Sequence, residues 1–423
     1  MQFKVDSYFN PYLPAGTNRL DAIITVAAEG GATAAVRPQA VVGLILDTSG
    51  SMAGRRMDAV KYATRMAIEL LDENNWFFVA AFADRALMVY SLAQATAANK
   101  QLAQAQVQRL EAGGSTLMSA GLKLALQEFQ KMPQAIHYGL FLTDGKNNDY
   151  DEAELDQTLQ RCEGAFQCDC RGVGTDWQPK QLQKIALKLL GTAMIIPEPS
   201  GVEADFRAAI QNAMGRSVDN VRLRLWTPKS AKVLIVKQMS PEIVVLTDRA
   251  AQIDGQTQDY PTGAWGRESR DYYVAIQVAT GDIGDEMLGC RPSIVYNEGG
   301  QENRVAGTPV VAPLKGDETL SARINEQVAH YTGQAELAET IQQGLEARAQ
   351  GDLDAATRYL GRAAKLAHDS GNDETTRRLQ KVVDVVDVNQ GTVRLKAKVE
   401  KADEMDLDLS STRTARRRPT PDA

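Results

Sequence analysis

Histidine is scarce in this chain: His137, His330 and His368 are the whole complement, and they lie far apart in sequence. His137 heads a strand-like run and the other two fall on helical stretches, which suits structural or surface roles. No serine or cysteine stands in a motif that would pair it with an activating base. The Gly-x-Ser-x-Gly elbow and the Walker loop are missing, and Gly172-Val173-Gly174 lacks the third glycine of a dinucleotide loop. Asp406-Leu407-Asp408-Leu409-Ser410 matches the loose acid pair of phosphoryl-transfer hydrolases, but it sits near the end of the chain and away from any strand end. These absences together lead to the expectation that the chain is not an enzyme.

Cysteine is equally rare. Cys162, Cys168, Cys170 and Cys290 have no framework spacing and no Cys-x-x-Cys pair for zinc. They read as free buried thiols of a reducing cytoplasm, with Cys168 and Cys170 on one side of a strand. Positive charge is not in excess: 47 Lys and Arg against 54 Asp and Glu give a net charge of -7. That balance argues against nucleic acid as a partner and against a surface drawn to anionic membranes. No apolar run approaches the length of a membrane span. The start, Met1-Gln2-Phe3-Lys4-Val5-Asp6, lacks the basic and apolar regions of a signal peptide. A cytoplasmic location is therefore expected.

What is present is a globular composition, 43% hydrophobic and 24% charged, in a chain of 423 residues that is too long for one ordinary core. Residues 1–37 carry a strand over Ala22–Ala28, expected to pair with strands far downstream. Residues 38–215 alternate strand and helix, the pattern of a doubly wound, mostly parallel sheet. Residues 216–320 hold many short strands at period two, as in Val221-Arg222-Leu223-Arg224-Leu225-Trp226, and read as an antiparallel β-sandwich. Over 321–390 the period turns helical. Its stretch Ala347–Ala367 looks like part of a tetratricopeptide unit, though one such unit cannot form a solenoid, and a helical hairpin packed on the sandwich is expected. Residues 391–423 lack apolar periodicity and read as a flexible tail. The fold class expected is multidomain: α/β plus β, with a C-terminal helical hairpin.

The chemistry concentrates in the second of these segments. Val41-Val42-Gly43-Leu44-Ile45-Leu46-Asp47-Thr48-Ser49-Gly50-Ser51-Met52 is an apolar run without polar alternation that delivers an acid and two hydroxyls into a turn. Such a run suits a strand covered on both faces, and ligands bind beyond the carboxyl ends of such strands. Two further segments end in the same way. Gly113-Gly114-Ser115-Thr116-Leu117 is a glycine turn opening a helix, and His137–Asp144 is a second buried-type strand closing on an acid. Read alone, each of these has a plainer explanation: serine as a turn former, Thr116 as a helix cap, Asp144 as part of a turn.

Taken together, the three segments resemble the von Willebrand factor A family and its metal-ion-dependent adhesion site, over about residues 38–215. The five site positions fall on Asp47, Ser49, Ser51, Thr116 and Asp144. The resemblance implies direct coordination of a divalent cation by Ser49 and Ser51, with Thr116 direct or through water and the two acids acting through water. The cation expected is Mg²⁺, with Mn²⁺ or Ca²⁺ open, since these oxygens are hard ligands. Neutral hydroxyls leave such an ion under-neutralised, so the expected partner is a protein that supplies a carboxylate. The resemblance to bacterial intracellular members adds a signalling association: Thr412 and Thr414, beside arginines, resemble kinase substrate sites that a forkhead-associated (FHA) module could read. It also adds an alternative, a non-catalytic subunit docking an AAA+ ATPase of MoxR or chelatase type.

Overall fold

The structure is a computed structural model that describes residues 1–14, 16–30, 39–298, 301–316, 325–414 and 416. The chain divides into two compact units, one built from Met1–Gly31 with Asn220–Ala423 and the other from Ala32–Asp219. It opens in the first unit with β1 (Gln2–Phe9), β2 (Leu13–Pro14) and β3 (Arg19–Glu29), then enters the second.

The second unit is a six-stranded sheet with helices on both faces. Its strands are β4 (Ala40–Asp47), β5 (Trp76–Phe82), β6 (Ala86–Gln94), β7 (Ile136–Thr143), β8 (Gln167–Val173) and β9 (Ala193–Ile196), in the order β6-β5-β4-β7-β8-β9. All neighbours are parallel except the edge pair β5 and β6. The helices are α1 (Arg55–Leu70), α2 (Ala97–Gln108), α3 (Met118–Phe129), α4 (Glu152–Cys162), α5 (Pro179–Lys188) and α6 (Val202–Met214).

Central β4 shows why its sequence lacks alternation: every residue from Val41 to Asp47 is buried. Val42, Leu44 and Leu46 join Val60, Ala63, Ala67, Phe206 and Ile210 of α1 and α6 in one apolar cluster. On the other face Gly43 makes room for aromatic rings, because a Cβ there would stand 2.4 Å from Phe78 and 2.9 Å from Phe129. Those two rings meet edge to face at 4.9 Å, and Phe82 stacks on Phe141 at 4.8 Å. Each fully buried phenylalanine contributes about 1.5–3 kcal/mol, so the rings of β5, β7 and α3 help to anchor the strands that carry the rim.

The first unit resumes with β10 (Val218–Trp226), β11 (Lys232–Ser240), β12 (Val244–Val245), β13 (Ala251–Gln252), β14 (Thr257–Trp265), β15 (Ser269–Gln277), β16 (Glu286–Glu298), β17 (Gln301–Ala306) and β18 (Val310–Lys315). One sheet runs β1-β3-β15-β11-β12. The other runs β13-β14-β10-β16-β18-β2, with β17 on β16. The early strand lies within β3 and pairs with β15, Ile24 opposite Tyr272. Phe3 reaches from β1 to the second sheet, its ring 5.6 Å from Trp265 and 4.8 Å from Tyr296.

Helices α7 (Glu326–Ala349), α8 (Leu353–Asp369) and α9 (Asp373–Val382) follow. Gly344 lets α7 and α8 approach, since a Cβ there would sit 2.7 Å from Leu360. Val328 and Tyr331 of α7 pack with Ile23 and Met239 of the β-sheet, and the Tyr331 hydroxyl donates to Asp271 at 2.6 Å.

The flexible tail expected over 391–423 needs correction. Strands β19 (Val383–Asp387) and β20 (Thr392–Leu395) form a hairpin, and α10 (Lys401–Ser410) follows. Met405, Leu407 and Leu409 of α10 are buried, and Leu407 shares a cluster with Leu337, Leu360 and Leu379. The acids around them are tied down as well: Asp406 to Arg378 at 3.0 Å, Asp403 to Lys381 at 2.9 Å and Glu404 to Arg348 at 2.7 Å. The acid pair Asp406 and Asp408 is therefore helical surface. Thr412 donates to Glu242 at 3.1 Å and Thr414 to the Met239 carbonyl. Both expected phosphorylation positions are thus engaged along the sheet edge, and a phosphate on Thr412 would meet the Glu242 carboxylate. The basic run Arg417–Arg418 lies outside the described residues.

Candidate metal centre at the strand rim

Asp47 ends β4 with its carboxylate buried and both oxygens occupied. The Ser49 N–H donates to Oδ1 at 2.7 Å and the Thr143 hydroxyl donates to Oδ2. Burial pushes this carboxyl up to about 6; the Thr143 and Ser49 hydrogen bonds pull it down, and the neighbouring Asp144 adds to the rise. A buried acid held in this condition favours a cation beside it.

The site loop is laced to its neighbours by main-chain bonds. Gly50 N donates to the Gly114 carbonyl at 3.0 Å, Gly113 N to Thr48 at 2.8 Å, and Thr48 N to Phe82 at 2.8 Å. Gly114 takes φ +83°, a conformation that suits glycine, and turns the second loop toward the first. Ser49 and Ser51 hydroxyl oxygens then lie 3.1 Å apart, and Ser51 Oγ donates to Asp144 Oδ1 at 2.6 Å.

Thr116 does not cap the helix that follows it. The first amides of α3 are satisfied from the β7–α4 loop instead: Met118 N donates to Asn147 Oδ1 at 2.9 Å and Ser119 N to Asp151 Oδ2 at 3.0 Å. Its hydroxyl borders Gly145, where a Cβ would stand 3.2 Å from Ser51 Oγ and 3.3 Å from Thr116 Oγ1. The space flanked by these two hydroxyls is open because residue 145 has no side chain. Asp47, Ser49, Thr116 and Asp144 are buried while Ser51 is exposed, so the group reaches solvent on the Ser51 side.

All five residues singled out from the sequence therefore stand on one rim. Two participants were not foreseen. Thr143 orients Asp47. Arg56, in the first turn of α1, donates to Asp144 Oδ2 at 2.6 Å and to Asp176 Oδ2 at 2.8 Å. Both contacts raise the affinity of Arg56 for its proton, the Asp176 hydrogen bond most. The signal available for Thr143 was its place next to Asp144 at the strand end; Arg56 offered none, its partners being remote in sequence.

The donor set fits a hard divalent cation. The Ser51 and Thr116 hydroxyls flank a space that a single methyl group would fill, and the Asp144 carboxylate is hydrogen-bonded to Ser51 beside it. Among the described residues no group of three or more His, Cys, Asp and Glu side chains stands together as a metal site, so any cation at this rim would depend on its hydroxyls. The four cysteines are free and buried, and burial pushes the Cys162 and Cys290 thiols up to about 12, far from a reactive thiolate.

A mostly parallel α/β domain with a hydroxyl-lined rim, in one chain with antiparallel sheets and C-terminal helices, is a recognisable class. The profile of the von Willebrand factor type A domain matches residues 40–195, and that of the von Willebrand factor type A C-terminal domain matches residues 365–411. The solved von Willebrand factor type A protein from Catenulispora acidiphila is 41% identical, with a TM-score of 0.93, and the alignment covers 98% of this chain and 97% of that one. The chain belongs to the von Willebrand factor type A family. The ArnB paralog VWA2 from Sulfolobus acidocaldarius, 14% identical over 97% of this chain and 98% of its own, shares the fold with a TM-score of 0.61. An uncharacterized protein of Synechocystis sp. is 33% identical over 214 residues, 48% of this chain and 49% of that protein, so the match spans about half of that relative.

Domains of this family are commonly protein–protein interaction modules, typically without catalytic activity, and members often bind a divalent cation at the adhesion site. Among the described residues, no helix is long and apolar enough to cross a membrane.

Proposed function

We propose that Asp47, Ser49, Ser51, Thr116 and Asp144 hold a divalent cation, Mg²⁺ in first place, through which the protein docks a carboxylate of another protein. The observation that carries this reading is the space beside Gly145, flanked by the Ser51 and Thr116 hydroxyls and backed by Asp144. Ser49, Ser51 and Thr116 would offer neutral oxygens, while Asp47 and Asp144 would orient them from behind. The cation would supply Lewis acidity toward an incoming acid. The protein's own part is to fix the donors and keep one side open at Ser51. The role is that of an interaction scaffold and not of an enzyme. Four buried free thiols suit a reducing compartment, which supports a cytoplasmic location.

An AAA+ ATPase as the docking partner would use the same rim and differ only in which protein brings the carboxylate. The kinase and FHA reading requires Thr412 and Thr414 to leave the sheet edge first, and no contact described above favours that.

The test is calorimetric titration of MgCl2 into the full chain, followed by affinity capture of partners with and without EDTA. Saturable binding lost in Asp47→Ala, and partners released by EDTA, are the expected results. Partners retained equally by Asp47→Ala and in EDTA would rule the reading out.

A further inference from the structure

The four carboxylate oxygens of the rim are all in use, and Arg56 takes the last of them. Asp47 accepts from Ser49 N–H and the Thr143 hydroxyl; Asp144 accepts from Ser51 through Oδ1 and from Arg56 through Oδ2. Arg56 is itself braced. Its other terminal nitrogen donates to Asp176 at 2.8 Å, and Gly174 leaves room for that nitrogen, since a Cβ there would lie 3.1 Å away. The loop that presents Asp176 is fixed by the buried Trp177 indole, which donates to the Gly174 carbonyl at 2.9 Å. The Arg56 side chain is 27% exposed, and its Asp144 partner is fully buried.

We propose that Arg56 sets the ion preference of the rim, by keeping Asp144 from closing on a cation with both oxygens. This rests on the cation site proposed above and names the ion it selects. Calcium takes six to eight oxygens and often draws carboxylates in bidentate fashion, whereas magnesium accepts few protein ligands and keeps several waters. With Oδ2 of Asp144 clamped by a guanidinium and both oxygens of Asp47 engaged by Ser49 and Thr143, neither carboxylate of the rim is free to offer both oxygens to one ion. The ion that accepts such a rim is Mg²⁺ or Mn²⁺. Calcium would have to break the Arg56–Asp144 pair, leaving the guanidinium beside a second cation. The bridge to Asp176 resists this, because Arg56 cannot swing away without leaving two acids.

The experiment is a comparison of MgCl2, MnCl2 and CaCl2 titrated into the full chain by calorimetry, for wild type, Arg56→Gln and Asp176→Asn. Thermal melting with and without each salt provides a second readout. In wild type, Mg²⁺ and Mn²⁺ should bind more tightly than Ca²⁺. In Arg56→Gln, Ca²⁺ affinity should rise by about tenfold or more, and the Mg²⁺ to Ca²⁺ ratio should collapse, as expected when a carboxylate becomes available to the larger ion. Asp176→Asn, which leaves Arg56 in place but unbraced, should move the ratio in the same direction by less. An unchanged ratio in a folded Arg56→Gln that still binds Mg²⁺ overturns the role of Arg56 and leaves the site standing. No binding of any of the three ions to wild type overturns both.

Discussion

Ser51 and Asp144 are 93 residues apart in sequence, yet Ser51 Oγ donates to Asp144 Oδ1 at 2.6 Å. Sheet order brings them together. β4 and β7 are parallel neighbours with Leu46 opposite Leu142, so the loops leaving both strands start side by side. The rim is a product of strand register, so a change confined to its open space should alter binding more than stability.

Gly145→Ala tests that separation. The residue is not in a left-handed conformation, so alanine fits its backbone, but the new methyl group would press on the Ser51 and Thr116 hydroxyls at 3.2 and 3.3 Å. Melting should change by a few degrees at most, while Mg²⁺ affinity falls about tenfold or more, a loss of ~1.4 kcal/mol. Calorimetry and differential scanning fluorimetry on the same samples check this.

Thr143→Val should act on both quantities. Its hydroxyl is buried and serves the Asp47 carboxylate. Removing it leaves a buried acceptor short of one donor, a destabilisation of about 1–3 kcal/mol, measurable by urea unfolding in EDTA. Mg²⁺ affinity should fall as well, because Asp47 loses one of the bonds that orients it.

The acid side of the stability curve should be governed in part by Asp169. Burial opposes its ionisation, but the Arg171 and Arg216 guanidiniums, with Thr192 N–H and the Tyr138 hydroxyl, outweigh burial and lower its carboxyl below the ordinary value. A lowered carboxyl contributes stability that is present above the unfolded-state value of about 4 and is lost as pH falls through the folded value. Urea unfolding should therefore show stability dropping below about pH 4. Asp169→Asn should flatten that limb while lowering stability at neutral pH.

Helix α10 should behave as part of the fold. Hydrogen exchange at the amides of Met405, Leu407 and Leu409 is expected to be slow, as for buried helices, where a flexible tail would exchange at once. Exchange mass spectrometry on the full chain decides between the two.

The difference between what the sequence disclosed and what it concealed follows from range. Val41–Asp47 and His137–Asp144 were readable as strands because burial on both faces leaves an unbroken apolar run, and an acid at the end of each marks the rim. The run Ala22–Ala28 was equally plain. β1 was not, since Phe3 and Val5 face inward from a strand that is otherwise polar or half-exposed. α10 failed for a related reason. Its buried apolar residues Met405, Leu407 and Leu409 are interleaved with acids, and Asp403, Glu404 and Asp406 are held by Lys381, Arg348 and Arg378 on other helices. A helix that depends on distant counter-charges has no local signature. Arg56 is the same case at the site: nothing in Gly54-Arg55-Arg56-Met57 names Asp144 or Asp176 as its partners.

The pairing of β3 has a consequence for synthesis. Its one side is closed early by β1, but its other side waits for β15, and between Glu29 and Ser269 the ribosome must deliver the entire inserted α/β unit. At about 5–20 residues per second that delay lasts tens of seconds, with an apolar hairpin edge open to wrong partners throughout. Nascent chains stalled short of residue 269 should be cut by protease within Arg19–Glu29 while Ala40–Asp47 resists. The inserted unit, continuous in sequence, has no such wait.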